Sequence, residues 1–469
     1  MDRSFNHVQH RATREFDVCV FGATGFTGKL ISEYLLSAAS QTDPAAPALR
    51  VALAGRNLEK LEELKQSLPS SQPPSILLAN VQTDSAAVLE ALVRRIRVVI
   101  CAVGPFLELA EPLVAACAAV GTHWVDITGE TPFVRLCIDS YATLARENGS
   151  FIINMCGFDS VPSDLGTYRT VQRISQAFKQ PTRRVQTFVT MRGELSGGTL
   201  ESSMVIERNP HFRAQMNDPF LLGGIIHGGV RPEDEDIGTV LPMKACPFES
   251  DGIVAWTAPF MMAKLNTRTV RRSNALIGYG ERFNYSEKMI VSDAADAAKL
   301  AKASPPVTKR EAMRNEGRLP RQGEGPSAAQ RAKGWFKFIF VGEAEDGRKL
   351  VTSVAGGDPG YNETAKMAAE CALALIYNFD NCNAVLQGVH GGCVTPAFAF
   401  GDALINRLTA VNIKFIDEDP TFDEVAKFDG KPNHTTASET LLRAAGIPKK
   451  STPDLFVEER RKLRVQSKL

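Results

Sequence analysis

The chain lacks any long uninterrupted apolar run. Over its 469 residues the most apolar stretches, Pro219 to Val230 and Ile253 to Ala263, contain Gly or Pro and are too short to cross a bilayer, so no transmembrane segment is expected. It also lacks an excess of either charge. Lys+Arg of 54 against Asp+Glu of 53 gives a net charge of +1, and no global field draws the protein toward nucleic acid or an anionic membrane. Nine cysteines include no CxxC pair and no regular spacing, and Cys19, Cys101 and Cys117 sit in apolar surroundings. They read as buried free thiols of a reducing compartment. No HExxH or Cys/His cluster is present, so no metal site is expected, and no GxSxG stands where a strand meets a helix, which argues against a hydrolase nucleophile. No internal repeat is visible.

What is present begins at Gly22-Ala-Thr-Gly-Phe-Thr-Gly28-Lys29. A triphosphate-binding loop ending at Gly28-Lys29 needs Gly at 23 and Ser or Thr at 30, but those positions are Ala23 and Leu30. Without the hydroxyl there is no Mg2+ ligand, and Lys29 reads as a solvated first-turn residue. The spacing Gly22, Gly25, Gly28 instead fits a dinucleotide turn, with the apolar strand Phe16–Phe21 before it and helical periodicity at Leu30, Ile31, Tyr34 and Leu35 after it. Such a turn presents backbone N–H groups and a helix N-terminus to a pyrophosphate.

Strand and helix signals then alternate to about residue 150. Fully apolar strands in that alternation predict a Rossmann-type doubly wound parallel sheet, an α/β fold, followed by a second α+β domain where glycine pairs and β-type runs appear. The expected organisation is a flexible leader over 1–13, a dinucleotide-binding domain over 14–150, and an α+β substrate or dimerisation domain over 151–416. The C-terminal end of that second domain is expected to pack back in part on the first, and an extension follows over 417–469. Lys302 to Lys333, rich in Pro, Gly and charge, reads as a long loop. Trp335 to Val341 and Lys349 to Val354 read as a hairpin, and Thr364 to Ile376 as an amphipathic helix.

The second strand ends Ala54-Gly55-Arg56, with no carboxylate to accept from a ribose 2′-hydroxyl before Glu59. A guanidinium there suits a 2′-phosphate, so NADP(H) is favoured over NAD(H). The expected cofactor contacts are Gly22, Thr24, Gly25, Phe26, Thr27 and Gly28, together with Arg56 and the fourth-strand turn Val103, Gly104, Pro105 and Phe106. The chain ends Ser467-Lys468-Leu469 after a charged tail, the tripeptide read by the peroxisomal import receptor. The expected location is therefore a peroxisome or a related microbody such as a glycosome, and otherwise the cytoplasm.

Ten short words in order resemble the saccharopine dehydrogenase-like oxidoreductases, in particular the branch containing bacterial trans-acting enoyl reductases of lipid assembly: GATGFTG (22–28), AGR (54–56), VGPF (103–106), GTHWVDITGE (121–130), CGFDSVPSD (156–164), SGGT (196–199), NTRTVRRSNAL (266–276), GEGPS (323–327), DPGYNETAKM (358–367) and TPAFAFGD (395–402). They run through residues 15 to 416. The resemblance implies a nicotinamide-binding domain with a second domain closing over it, and a reductase role.

Hydride transfer needs a proton donor or a stabiliser for the developing anion. Asp126, Glu130, Asp159, Tyr361 and His390 are the polar groups at suitable strand ends and turns, with Asp159, Tyr361 and His390 the catalytic candidates. Each has a structural alternative: a helix cap for Asp159, a domain-seam contact for Tyr361, a loop histidine for His390. Arg268, Arg271 and Arg272 read either as an anion site or as a solvated helix face, and Trp256, Pro259, Phe260, Met261 and Met262 as an acyl-chain surface, a homodimer contact or core. Three functions follow from this set. One is reduction of an enoyl or carbonyl group in a lipid-like acyl substrate. The second is amino-acid imine chemistry, and the third a non-catalytic, dinucleotide-bound, lipid-associated scaffold.

Overall fold

The strand β1 (Phe16–Phe21) is apolar at nearly every position and buried at every one, as a central parallel strand covered on both faces must be. It pairs in parallel with β2 (Val51–Gly55) on one side and β4 (Ile96–Cys101) on the other, with Val18 opposite both Val51 and Val98. In the computed structural model, which describes residues 13–37, 48–68, 72–223, 246–250, 253–291, 293–302, 304–418 and 437–446, the first domain is a seven-stranded sheet. Its further strands are β3 (Ser75–Leu78), β5 (His123–Asp126) and β6 (Phe151–Ile153). Helices α1 (Phe26–Leu35), α2 (Leu58–Ser67), α3 (Ala86–Val93), α4 (Phe106–Leu109), α5 (Glu111–Val120) and α6 (Thr131–Glu147) make the crossovers. Local signals start and stop them: Asn57 accepts from Lys60 N–H at 2.9 Å to cap α2, and Gly121, at φ 72°, ends α5.

The second domain contains α7 (Val161–Phe178), β7 (Thr182–Arg192), α8 (Gly197–Arg208), α9 (Pro210–Gln215), β8 (Cys246–Ser250), β9 (Ile253–Pro259), α10 (Ala263–Ile277) and β10 (Asn284–Val291). The chain continues through α11 (Ala294–Leu300), α12 (Val307–Asn315), α13 (Ala328–Arg331) and the antiparallel hairpin of β11 (Trp335–Ala344) and β12 (Lys349–Gly356). It then forms α14 (Asn362–Tyr377), α15 (Asn383–Leu386), β13 (Gly392–Val394), α16 (Pro396–Phe400), α17 (Asp402–Ala410), β14 (Lys414–Asp417) and α18 (Ala437–Ala444). A mixed sheet of order β14-β12-β11-β7-β10-β9-β8 is its frame. Alternation along β11 divides the two faces: Phe336, Phe338 and Phe340 point inward, where Phe158 meets two of the rings at 5.1 and 5.6 Å, and Ile339 points outward under Leu441 of α18. Gly166 of α7 is needed for the close approach, because a Cβ there would lie 2.1 Å from the Phe340 ring.

Several elements differ from what the sequence suggests. Residues 304–333 are not one irregular loop but contain α12 and α13, and α12 is fastened to α8 by Arg310–Glu207 and Arg314–Glu201 pairs. The helix α14 is not a half-exposed amphipathic helix; it is buried on nearly all sides between α1, the first sheet and α17. The three-residue strand β13 joins the first sheet beside β6, Gly392 opposite Phe151. The segment Thr395 to Leu408 is not one continuous helix but breaks at Gly401 into α16 and α17. Residues 1–12 and 447–469, with the leader and the Ser467-Lys468-Leu469 tripeptide, lie outside the described residues, as do residues 224–245. Among the described residues no helix is long and apolar enough to cross a membrane, and Cys19, Cys101, Cys117, Cys137, Cys156, Cys371, Cys382 and Cys393 are buried and free.

Burying α14 places Glu370 in the interior, fully covered, where Arg407 Nε donates to it at 2.6 Å and Tyr34 Oη at 2.6 Å. Burial raises the carboxyl's pKa and the Arg407 charge opposes that rise. Removing one partner of such a pair strands the other charge. Arg407→Ala is expected to lower unfolding stability by about 3 kcal/mol, read from the urea midpoint; a loss below about 1 kcal/mol, the range of an exposed ion pair, would show that the pair does not hold α14 in place.

Candidate functional site

The turn after β1 is shaped by what its glycines leave out. Gly22 has φ +79°, and a Cβ on it would lie 2.9 Å from the Ala102 carbonyl oxygen; a Cβ on Gly28 would lie 2.1 Å from that of Gly22. The helix α1 begins at Phe26 with Gly25 as its cap, and no side chain caps it. Its first-turn N–H groups therefore face outward as an anion cradle at the carboxyl edge of the sheet. A cavity of about 670 Å³ opens there. Gly25, Phe26 and Thr27 line it from the glycine turn, and Gly104 and Phe106 from the end of β4. Gly22, Thr24, Gly28, Val103 and Pro105 shape these turns from behind. Arg56 is exposed at the end of β2, its guanidinium donating to Gln82 Oε1 at 3.3 Å. An uncapped helix start, a close glycine turn and an exposed guanidinium at the end of β2 fit a dinucleotide whose pyrophosphate lies on α1 and whose adenosine end reaches β2.

The opposite wall comes from the second domain. The segment Ser196–Thr199 and the helix α8 turn hydroxyls into the cavity, including Ser196, Thr199, Ser202 and Ser203. Glu130 joins the two walls. Its carboxylate accepts from Phe106 N–H at 2.9 Å and Leu107 N–H at 2.8 Å, capping α4, and from Ser202 Oγ at 2.6 Å. Asp126 is also structural: Trp124 Nε1, Asn154 Nδ2 and the N–H groups of Thr128 and Met155 all donate to it, and burial lifts its pKa to about 6.

Asp159 is placed differently. It lines the cavity near Gly129, and no hydrogen bond or ion pair among the described residues relieves its carboxyl, so desolvation alone raises its pKa to about 7. It does not cap α7; Ser160 stands at that position. Tyr361 is buried close by, its ring edge-on to Phe26 at 5.0 Å; burial raises its hydroxyl's pKa, and Ser196 and Thr199 oppose the rise. The residues 321–327 cross over this corner: Gln322 Nε2 donates to the Gly104 carbonyl at 3.2 Å, Gly197 N–H to Glu324 O at 3.0 Å, and a Cβ on Gly325 would lie 2.5 Å from the Phe26 ring.

Three expectations need correction. His390 stands just before β13, at the amino edge of the sheet, whereas the glycine turn and Asp159 are at the carboxyl edge, so it takes no part in this site. Arg268 and Arg271 are neither solvated nor free to bind an anion. Both are buried, and with Arg272 they donate to backbone carbonyls of Met216, Asp218, Pro219, Leu222 and Cys393. Of the apolar set, Phe260 is core, and Met261 and Met262 line the cavity. Among the described residues no cluster of His, Cys, Asp and Glu could hold a metal. The hydroxyls of α8 and Ser196 were missed by sequence reasoning, although their spacing at 196, 199, 202 and 203 places them on one helical face.

A parallel sheet with an uncapped glycine turn at its carboxyl edge, closed by a second domain over a shared cavity, defines a two-domain dinucleotide-binding protein. The profile described as Saccharopine dehydrogenase NADP binding domain matches residues 18–153. A Mycobacterium tuberculosis protein provisionally named a trans-acting enoyl reductase is 36% identical over 424 residues, covering 85% of this chain and 97% of its own. The trans-acting enoyl reductases of Mycobacterium bovis and Mycobacterium leprae are 35% and 34% identical, covering 86% and 85% of this chain and 97% of theirs. Saccharopine dehydrogenase (L-Glu forming) from Saccharomyces cerevisiae superposes with a TM-score of 0.45 at 13% identity, over 85% of this chain and 98% of that one. The chain belongs to the saccharopine dehydrogenase-like oxidoreductase family, and it is an oxidoreductase.

Gly28→Ala is expected to leave the protein folded but to weaken dinucleotide binding by at least tenfold, because the added methyl must push α1 away from the Gly22 carbonyl. Titration of NADPH fluorescence reads this directly, and unchanged affinity in a folded variant would remove the glycine turn from the site.

Proposed function

We propose that the protein is an NADPH-dependent reductase of an enoyl or carbonyl group in a lipid-like acyl compound. One observation carries this reading: Asp159, an unpartnered carboxyl held near neutrality, lines a cavity shared by the glycine turn and a methionine-bearing wall. When bound, the reduced nicotinamide supplies a hydride to the electron-poor carbon. Asp159 supplies the proton that completes the reduction and is reprotonated from solvent. The cluster of Tyr361, Ser196 and Thr199 orients the polar end of the reacting group beside it. Met216, Met261, Met262 and Leu265 give an adaptable apolar wall for the chain. The names carried by the relatives support enoyl reduction over carbonyl reduction.

Preference for NADPH rests on Arg56, which stands where an NAD site places a carboxylate. Arg56→Ala is expected to reduce the kcat/KM preference for NADPH over NADH by roughly 10- to 100-fold, the worth of a charge-assisted hydrogen bond. Retention of the full preference would refute this assignment.

Burial raises Asp159, so the acid form persists to about pH 7 and is lost above it. Turnover of an enoyl thioester with NADPH should therefore fall about tenfold per pH unit above that value. Asp159→Asn should lose roughly 10²- to 10⁴-fold in kcat, with NADPH titration confirming that the variant still loads its cofactor. A variant with wild-type kcat, or a flat profile between pH 6 and 9, would assign the proton to another group.

A further inference from the structure

The cavity, at about 670 Å³, is larger than a reacting centre alone needs, and its lining is mixed. Its lining includes the glycine turn and Phe26, in contact with Tyr361. Gly129 brings Asp159 and Leu265 together, since a Cβ on it would lie 2.8 Å from Asp159 Oδ2 and 3.1 Å from Leu265 Cδ2. Met216, Met261 and Met262 also line the cavity, as do Arg213 of α9 and Lys264 of α10, and the start of α10 meets the end of α9 because Arg268 donates to the carbonyls of both Lys264 and Met216. Both cations are exposed, and among the described residues neither has an ion-pair or hydrogen-bonding carboxylate. Another acidic lining residue, Glu207, is engaged by Arg310 of α12. The neighbouring arginines on α10 are also engaged, because Arg268 and Arg271 are buried on backbone carbonyls. Among the described lining residues the positive charge is thus confined to Arg213 and Lys264, which share the wall with Leu265 and three methionines.

We infer that Arg213 and Lys264 form an anion-recognition site for the far end of the substrate, so that the compound reduced is an acyl chain with a carboxylate or phosphate displaced from the reducible bond by an apolar spacer. This rests on the reductase reading given above. Two cations at an open mouth attract an anion through solvent, which favours capture and orientation more than tight binding. The anion has two chemical sources: a phosphate on the thioester's carrier arm, or a carboxylate at the distal end of the chain.

The test uses the full chain with NADPH and three enoyl thioesters of equal chain length: the coenzyme A ester, the neutral N-acetylcysteamine ester, and an N-acetylcysteamine ester bearing an ω-carboxylate. Wild type is expected to favour one anionic ester over the neutral one by roughly tenfold or more in kcat/KM, an advantage that shrinks with added salt. In Arg213→Gln/Lys264→Gln that ratio should collapse toward one. Because the comparison is made within each variant, general damage to the enzyme cancels. Preference for the coenzyme A ester identifies a carrier phosphate, and preference for the ω-carboxy ester a chain carboxylate. A ratio that is near one in wild type, or that is unaltered in the double variant, overturns the inference. Absence of turnover with every ester, alongside binding of the saturated coenzyme A or ω-carboxy ester that weakens in the double variant, would sink the reductase reading and leave the anion site standing. Absence of both turnover and binding overturns both.

Discussion

The site depends on one buried carboxylate being satisfied. Glu130 takes two N–H groups from the start of α4 and a hydroxyl from α8, so a single side chain fixes the cofactor-side turn and the facing wall of the cavity at the same distance. Burial pushes its pKa up, and the three donors push it down. The donors have as much at stake as the acceptor, because the first-turn N–H groups of α4 have no partner within the helix. Glu130 is itself positioned by its neighbours: its N–H donates to Thr128 Oγ1 at 3.0 Å, and Thr128 N–H donates to Asp126 Oδ1 at 3.0 Å. The segment after β5 is thus a short relay of side-chain-to-backbone bonds that carries the position of the sheet edge into the cleft.

This relay separates three carboxyls that look alike in the sequence. Asp126 and Glu130 have their lone pairs occupied by donors, and their work is positional. Asp159 has none, and the absence of partners is what leaves its proton available near neutral pH. Spacing along the chain cannot make that distinction, because the donors to Asp126 and Glu130 come from residues up to 72 positions away.

What could be read from the sequence follows the same division. The glycine spacing, the alternation of strands and helices and the β11–β12 hairpin are local patterns, and the structure contains them where those patterns stand. The segment 304–333 departs from its loop reading because its helices are short and charged: α12 is tied by ion pairs to α8, about a hundred residues earlier in the chain, and α13 by a Ser327–Gln330 capping box and by Arg331 donating to Asn362. The burial of α14 was hidden for a related reason. Glu363, Lys366 and Glu370 imitate a solvated face, whereas Glu370 is neutralised internally by Arg407, and Lys366 pairs with Glu363 at 2.9 Å. The strand β13 has three residues, one of them glycine, too few for any periodicity; it becomes a strand because β6 offers an unpaired edge.

The arginines of α10 show why charge pattern alone misassigned part of the site. Three cations on one helix suggest either solvent or an anionic ligand, and a buried guanidinium is costly unless its donors are satisfied. Here backbone carbonyls accept from them, and those carbonyls belong mainly to residues 216 to 222. Burial holds the Arg272 pKa down, to about 10, so the group stays charged through the physiological range. The arginines therefore anchor a segment that has little regular structure of its own. That segment brings Met216 and Asn217 to the cavity wall, so these cations act on the site by fixing the backbone that shapes it. The functions of binding an anion and shaping an apolar wall are thereby divided between neighbouring residues of one helix: Arg268, Arg271 and Arg272 face inward onto carbonyls, and Lys264, one turn earlier, stays exposed at the mouth.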